Sequence, residues 1–218
     1  FDGEVTRIEM SEESFGAPNP DKRVKGKKYK DVYVEGPWLT KRNGKYYMLY
    51  AAGGVPEHIA YSMADSPMGP WKYMGNIMPL QDTGSFTNHC GVIDFKGNSY
   101  FFYHTGKLPG GGGFARSMAV EQFNYNPDGT FPIINATKEG VKPVGTLNPF
   151  QRVEAETIAW SEGLESEPNP KGGVYISDIH NGEYIKVREV DFGNKQICGF
   201  RASVASALRG GSIEVYVD

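Results

Sequence analysis

Long apolar runs are missing from these 218 residues, and no stretch has the length or apolarity of a helical membrane span. Apolar heptads are missing too, so a coiled coil is excluded. Neither sign of charge dominates: 23 basic residues stand against 26 acidic ones, a net charge of -3. That balance leaves no electrostatic footprint for a nucleic-acid partner. The one basic run, Lys22-Arg23-Val24-Lys25-Gly26-Lys27-Lys28, sits between acidic segments and reads as a solvated loop rather than an anion-binding patch. Cysteine is scarce. Cys90 and Cys198 lie far apart, so two buried free thiols are expected rather than a disulfide. No signal peptide is visible, yet the sequence starts at Phe1 and both ends fall in strand-like segments. An internal fragment of a longer protein is the expectation.

Glycine and aromatic residues are plentiful: 28 Gly, 13 Tyr and 12 Phe. That mixture points to many short strands joined by tight turns, an all-β protein. Two segments repeat. In the first, Leu39, Gly44, Tyr47 and Tyr50 align with Val92, Gly97, Tyr100 and Tyr103 of the second, and each reads strand, Gly turn, strand. Further strands are expected over 58–64 and 71–77 after the first hairpin, and over 115–125 and 131–134 after the second. Pro67-Met68-Gly69-Pro70 and Asn126-Pro127-Asp128-Gly129 form the turns between them. Four-stranded units recurring at roughly 50 to 60 residues suggest blades of a β-propeller. A sandwich of hairpins is the alternative.

The Gly/Pro-rich stretch 140–149 has the composition of a linker. It divides a first domain, residues 1–147, from a second, residues 151–218. The second carries short strands expected at 175–178, 184–187, 198–204 and 213–218, a pattern suited to a β-sandwich or jelly roll.

The residue type most suggestive of chemistry is Glu35, set in Val34-Glu35-Gly36-Pro37-Trp38. A carboxyl group beside a Gly-Pro bend and an indole suits a general acid at the rim of a sugar-sized pocket. An apolar ring nearby would desolvate the charged form and raise its pKa. The plainer alternative is a glutamate in a loop before an edge strand.

Taken together, Glu35-Gly36-Pro37-Trp38, Asn88-His89-Cys90-Gly91-Val92-Ile93-Asp94-Phe95 and Gly110-Gly111-Gly112-Gly113-Phe114-Ala115-Arg116-Ser117 resemble glycoside hydrolase family 43. From Arg152 onward the chain resembles the front of a family 6 carbohydrate-binding module, and this domain order is similar to that of bacterial arabinoxylan arabinofuranohydrolases. The resemblance implies part of a five-bladed propeller followed by part of a β-sandwich, in a secreted enzyme that inverts the anomeric centre. It implies that Glu35 is the general acid and that Arg116 and Trp38 contact substrate. His89 would support a calcium site near the propeller axis, through water or a hydrogen bond, since calcium prefers oxygen ligands. The alternatives are a core histidine satisfied by backbone and, for Arg116, a surface ion pair. The glycines before Arg116 would let the backbone pass close to a ligand or another loop.

In the second module, Glu154 and Glu156 match the acidic calcium pattern, two apart on one strand face. An ordinary acidic strand face is the alternative. Tyr175, Tyr184 and Trp160 are the rings available to stack on sugar, and Asn181 and Glu183 sit in a turn-like segment.

An inverting glycosidase needs a second carboxylate to activate water. Asp2, Asp21 and Asp31 precede Glu35 but carry no recognisable base pattern. These residues alone are therefore expected to be inactive, although the parent is an enzyme. A β-xylosidase, an arabinanase or a non-catalytic polysaccharide-binding protein remains open.

Overall fold

The computed structural model describes residue 3 and residues 5–17, 23–24, 27–28, 32–207 and 210–217. Asp2, Asp21 and Asp31 lie outside them. So do Lys22, Lys25 and Gly26 of the basic run, whose other four residues form the paired strands β1 (Arg23–Val24) and β2 (Lys27–Lys28). The chain divides into two compact units, Phe1–Lys142 and Pro143–Asp218.

The first unit opens with a single helical turn, α1 (Glu12–Phe15), capped by the Ser11 hydroxyl, which accepts from the Ser14 N–H at 3.1 Å. An antiparallel meander follows: β3 (Tyr33–Arg42), β4 (Lys45–Ala52), β5 (His58–Ala64) and β6 (Lys72–Met78). A second sheet comprises β7 (Cys90–Phe95), β8 (Asn98–Thr105) and β9 (Ser117–Phe123). The internal repeat is visible in the turns. Arg42 pairs with Lys45 and Phe95 with Asn98, so each hairpin closes through two residues. Both central residues have positive φ, 49° and 79° at Asn43-Gly44, 49° and 81° at Lys96-Gly97. This is the turn whose twist matches that of the strands it joins. The aligned tyrosines, Tyr47 with Tyr100 and Tyr50 with Tyr103, are all buried.

The expected fourth strand of the second sheet, 131–134, does not form. Pro132 removes a ladder donor from its middle. The segment instead runs back to the first sheet, where the Ile134 N–H donates to the Ile77 carbonyl at 2.8 Å and the Phe131 N–H to the Tyr61 hydroxyl at 3.2 Å. The Gln81 amide clasps it on both sides, donating to Ile134 O and accepting from Ala136 N. Phe131 thereby enters a core shared by the two sheets, with Tyr47, Leu49, Ile59, Tyr61, Ile77, Val92 and Phe101. Its ring lies 4.8 to 5.7 Å from those of Tyr125, Tyr61, Phe123 and Tyr47. Edge-to-face and tilted aromatic contacts of this kind add to area burial. Nearby, Arg42 stacks 4.0 Å above the Tyr125 ring and reaches Asp94 at 3.5 Å, tying β3 to β7.

The second unit has two small antiparallel pairs. β10 (Trp160–Glu162) pairs with β13 (Tyr184–Lys186), and β11 (Glu165–Pro168) with β12 (Val174–Ser177). The expected strands at 198–204 and 213–218 are absent among the described residues. Phe200, Val204, Ile213 and Tyr216 there are exposed, so no packed partner face stabilises an extended ladder. Cys198 is exposed, against expectation, because it lies on that unpaired stretch; Cys90 is half-buried on β7, and both thiols are free.

Phe131→Ala should lose about 3–5 kcal/mol of stability, the usual range for truncating a buried phenylalanine. Urea denaturation monitored by near-UV circular dichroism reads this directly, and a loss under about 1 kcal/mol would show that the return segment does not lock the sheets.

Candidate active site

Glu35 stands on β3 between two irregularities of its pairing with β4, at Tyr33/Glu35 and Glu35/Trp38. Bulges of this kind bend a strand and re-aim its side chains. The next residue, Gly36, has φ +62°, and a Cβ there would come 2.9 Å from His89 Cγ. Only glycine meets both conditions, the left-handed backbone and the missing side chain. The notch admits the His89 imidazole, whose Nε2 lies 3.0 Å from Glu35 Oε1. Glu35 and His89 are 54 residues apart in sequence yet meet across this contact.

His89 is positioned from behind. Its ring stacks on that of His104 on β8, with centroids 5.1 Å apart and planes at 27°. Its backbone N–H donates to His104 Nδ1 at 3.4 Å. Burial, then the charges of His89 and Arg116, hold the His104 pKa below its ordinary 6.5. A neutral ring with Nδ1 as acceptor fits that geometry.

A buried glutamate, Glu57, organises the segment that carries His89. Its N–H donates to the Phe86 carbonyl at 3.0 Å, and its carboxylate accepts from the Asn88 N–H at 2.8 Å. Burial pushes the Glu57 carboxyl up, with Glu35 acting in the same direction, while the Asn88 N–H, His89 and Arg116 act against the shift. The buried Asn88 amide completes the support, donating to Met78 Sδ and accepting from the His104 N–H at 3.2 Å.

Arg116 precedes β9 and is exposed; its Nη1 donates to Thr87 Oγ1 at 3.3 Å, which directs the guanidinium to the same segment. Trp38 is half exposed, and a Cβ on Gly91 would meet its ring edge at 3.7 Å. The glycine-rich stretch does pass close to another loop: a Cβ on Gly111 would lie 2.4 Å from Gly106 O, and one on Gly106 equally close to Gly84 O. The structure thus brings Glu35 and His89 into contact and tethers Arg116 through Thr87. Glu57, Asn88, Thr87 and His104 were not singled out from sequence. Asn88 lay inside a motif already noted, whereas nothing in one sequence marks Glu57 as buried.

Glu35, Glu57 and His89 offer one donor atom each within 4.8 Å of one another. Two carboxylate oxygens and an imidazole can supply part of a cation shell, with water completing the six to eight oxygens calcium takes. The other expected calcium ligands differ from expectation. Glu154 and Glu156 sit in a turn, closed by the Thr157 N–H to Glu154 O at 3.0 Å, and not on a strand. Arg152 grips the Glu154 carboxylate at 2.7 and 2.9 Å, so an ion there must displace a two-point pair. In the same unit Tyr175, Tyr184 and Trp160 are all exposed.

Two family models match the chain. Residues 2–131 match that of glycosyl hydrolases family 43, and residues 154–218 that of carbohydrate binding module family 6. An arabinoxylan arabinofuranohydrolase of Paenibacillus polymyxa is 34% identical over 206 residues, covering 84% of this chain and 32% of its own. One of Bacillus subtilis (strain 168) is 36% identical over 206 residues, covering 84% and 40%. A solved structure of a family 43 arabinoxylan arabinofuranohydrolase from Bacillus subtilis, in complex with cellotetraose, superposes with a TM-score of 0.58 at 34% identity. It covers 75% of this chain and 38% of that one. The chain spans about a third to two fifths of the length of the curated relatives it matches.

Two outcomes follow from the supporting residues. Glu57→Ala leaves the Asn88 N–H without its buried acceptor and should destabilise by about 1–3 kcal/mol, with Glu57→Gln milder because one acceptor remains. Comparing the urea midpoints of both variants checks this. For His104, the unfolded chain protonates near 6.5 while the folded ring resists, so stability is present above that pH and declines as pH falls below it. The raised Glu57 carboxyl acts with the opposite sign, its contribution being present below its ordinary 4.5 and lost as pH rises through the folded value, and it is common to the parent and the His104 variant. Urea midpoints between pH 7.5 and 5.5 should fall less steeply in His104→Gln than in the parent.

Proposed function

The chain belongs to glycosyl hydrolases family 43, and on that premise we propose that it carries the general acid of an inverting glycosidase that removes α-L-arabinofuranosyl side chains from arabinoxylan. The observation that supports this most directly is the 3.0 Å contact of Glu35 with His89 in the Gly36 notch. A carboxyl group used as an acid must present one oxygen, protonated, to the leaving oxygen in a fixed direction. His89 engages Oε1, which leaves Oε2 to face the glycosidic bond. Arg116, tethered by Thr87, retains donors for the hydroxyls of the sugar being cleaved. Trp38 lines the same strand as the acid and offers an apolar face.

Single displacement also requires a carboxylate on the opposite face of the sugar, about 6.5–9.5 Å from the acid, to activate water. The proposal assigns that role to none of the described residues, and these 218 residues alone are expected to release no sugar. Calcium is part of the proposal, with the Glu57 carboxylate as a direct donor and His89 acting through water or its hydrogen bond to Glu35. It would supply a fixed positive charge at this point of the fold. The module at 154–218 would hold the polysaccharide. Because such a polymer does not enter a cell, the enzyme would act outside it.

In the full-length polypeptide, Glu35→Gln should lower arabinose release from arabinoxylan by roughly 10²–10⁴-fold, the usual weight of a general acid. An aryl arabinofuranoside whose leaving group needs no proton should suffer much less. Sugar analysis of the products decides the substrate: release of xylose instead would make the enzyme a β-xylosidase, and undiminished arabinose release in Glu35→Gln would remove Glu35 from the chemistry.

A further inference from the structure

Among the described residues of the first unit Phe114 is the most exposed large ring, 84% accessible, at the end of the glycine-rich loop. Keeping such a ring in water is unfavourable relative to burying it. The ring is nevertheless held in place. Phe86, itself 37% accessible, meets it edge to face, with centroids 5.0 Å apart and planes at 86°. Phe86 in turn wedges against Gly113, where a Cβ would lie 1.8 Å from its ring. The backbone beneath is fixed at two points: the Phe86 carbonyl accepts from Glu57 N–H at 3.0 Å, and Thr87 Oγ1 donates to Gly113 O at 3.3 Å.

The same Thr87 hydroxyl accepts from Arg116 Nη1 at 3.3 Å, so one side chain anchors both the ring pair and the guanidinium. An apolar ring face beside an array of N–H donors is the chemistry that recognises a neutral sugar, whose C–H face lies on the ring while its hydroxyls accept from the donors.

We propose that Phe114, buttressed by Phe86, is a stacking platform for a pyranose of the polysaccharide main chain, next to the side-chain sugar that Arg116 contacts. This rests on the substrate class proposed above. Phe114 is exposed, so a polymer lying across the site would reach it, whereas a small glycoside held at Glu35 would not.

The test uses the full-length polypeptide labelled with 4-fluorophenylalanine, the Phe114 signal being assigned by its loss in Phe114→Leu. Addition of xylohexaose should shift the Phe114 ¹⁹F resonance. Kinetically, Phe114→Ala should lower kcat/KM on arabinoxylan about tenfold more than kcat/KM on an aryl arabinofuranoside, and Phe114→Trp should restore the ratio. An unmoved resonance, or an equal loss on both substrates, overturns the platform even where hydrolysis is intact. A shifted resonance in a protein that hydrolyses neither substrate upholds the platform and overturns the proposed reaction instead.

Discussion

The bracket formed by Glu57 is the constraint on which the site depends. One residue at the start of a strand holds a neighbouring segment twice, by its backbone N–H at Phe86 and by its carboxylate at Asn88. Three consecutive side chains are thereby aimed. Thr87 anchors Arg116, Asn88 links β6 to β8, and His89 enters the notch beside Glu35. A buried carboxylate is expensive unless its oxygens are used, and here the Asn88 N–H uses one while His89 and Arg116 oppose its neutralisation. Breaking the bracket would release the histidine and the arginine together.

The second organising feature is the return of residues 131–136 onto the first sheet. Proline stops this segment from acting as a fourth strand of its own sheet, so its apolar residues are free to fill the core between the sheets. The site depends on that packing indirectly. Glu35 is on one sheet and His89 at the entry to the other, so a 3.0 Å contact between them requires the two sheets to keep one separation. Aromatic packing around Phe131, with Arg42 bridging Asp94 and Tyr125, sets it.

The match to family 43 over residues 2–131 and to the binding module over 154–218 gives these features a chemical setting. The first unit is part of a β-propeller and the second part of a β-sandwich, as the all-β architecture and the superposed family structure agree. A glutamate on one blade and the histidine it contacts at the next can meet readily in such a fold, since ends of successive strands converge on one place.

Much was legible in the sequence. The paired hairpins follow from Asn43-Gly44 and Lys96-Gly97 between strands of buried tyrosines, because local turn chemistry and aromatic content act within a few residues. Glu35, His89 and Arg116 were legible as residue types in recognisable surroundings. The strand at 131–134 was misread, because alternation cannot say which sheet a segment will join, and a strand placing Glu154 beside Glu156 was misread where a turn and Arg152 prevailed. Cys198, expected to be a buried thiol, is exposed. What the sequence determined by itself was therefore the β architecture, the turns and the candidate acid, all products of short-range covalent and steric rules. Only the tertiary structure decided that Glu57 would be buried, that His104 would back His89, and that Gly36 would open the notch. Those depend on contacts between residues tens of positions apart, and a linear pattern carries no measure of such distances.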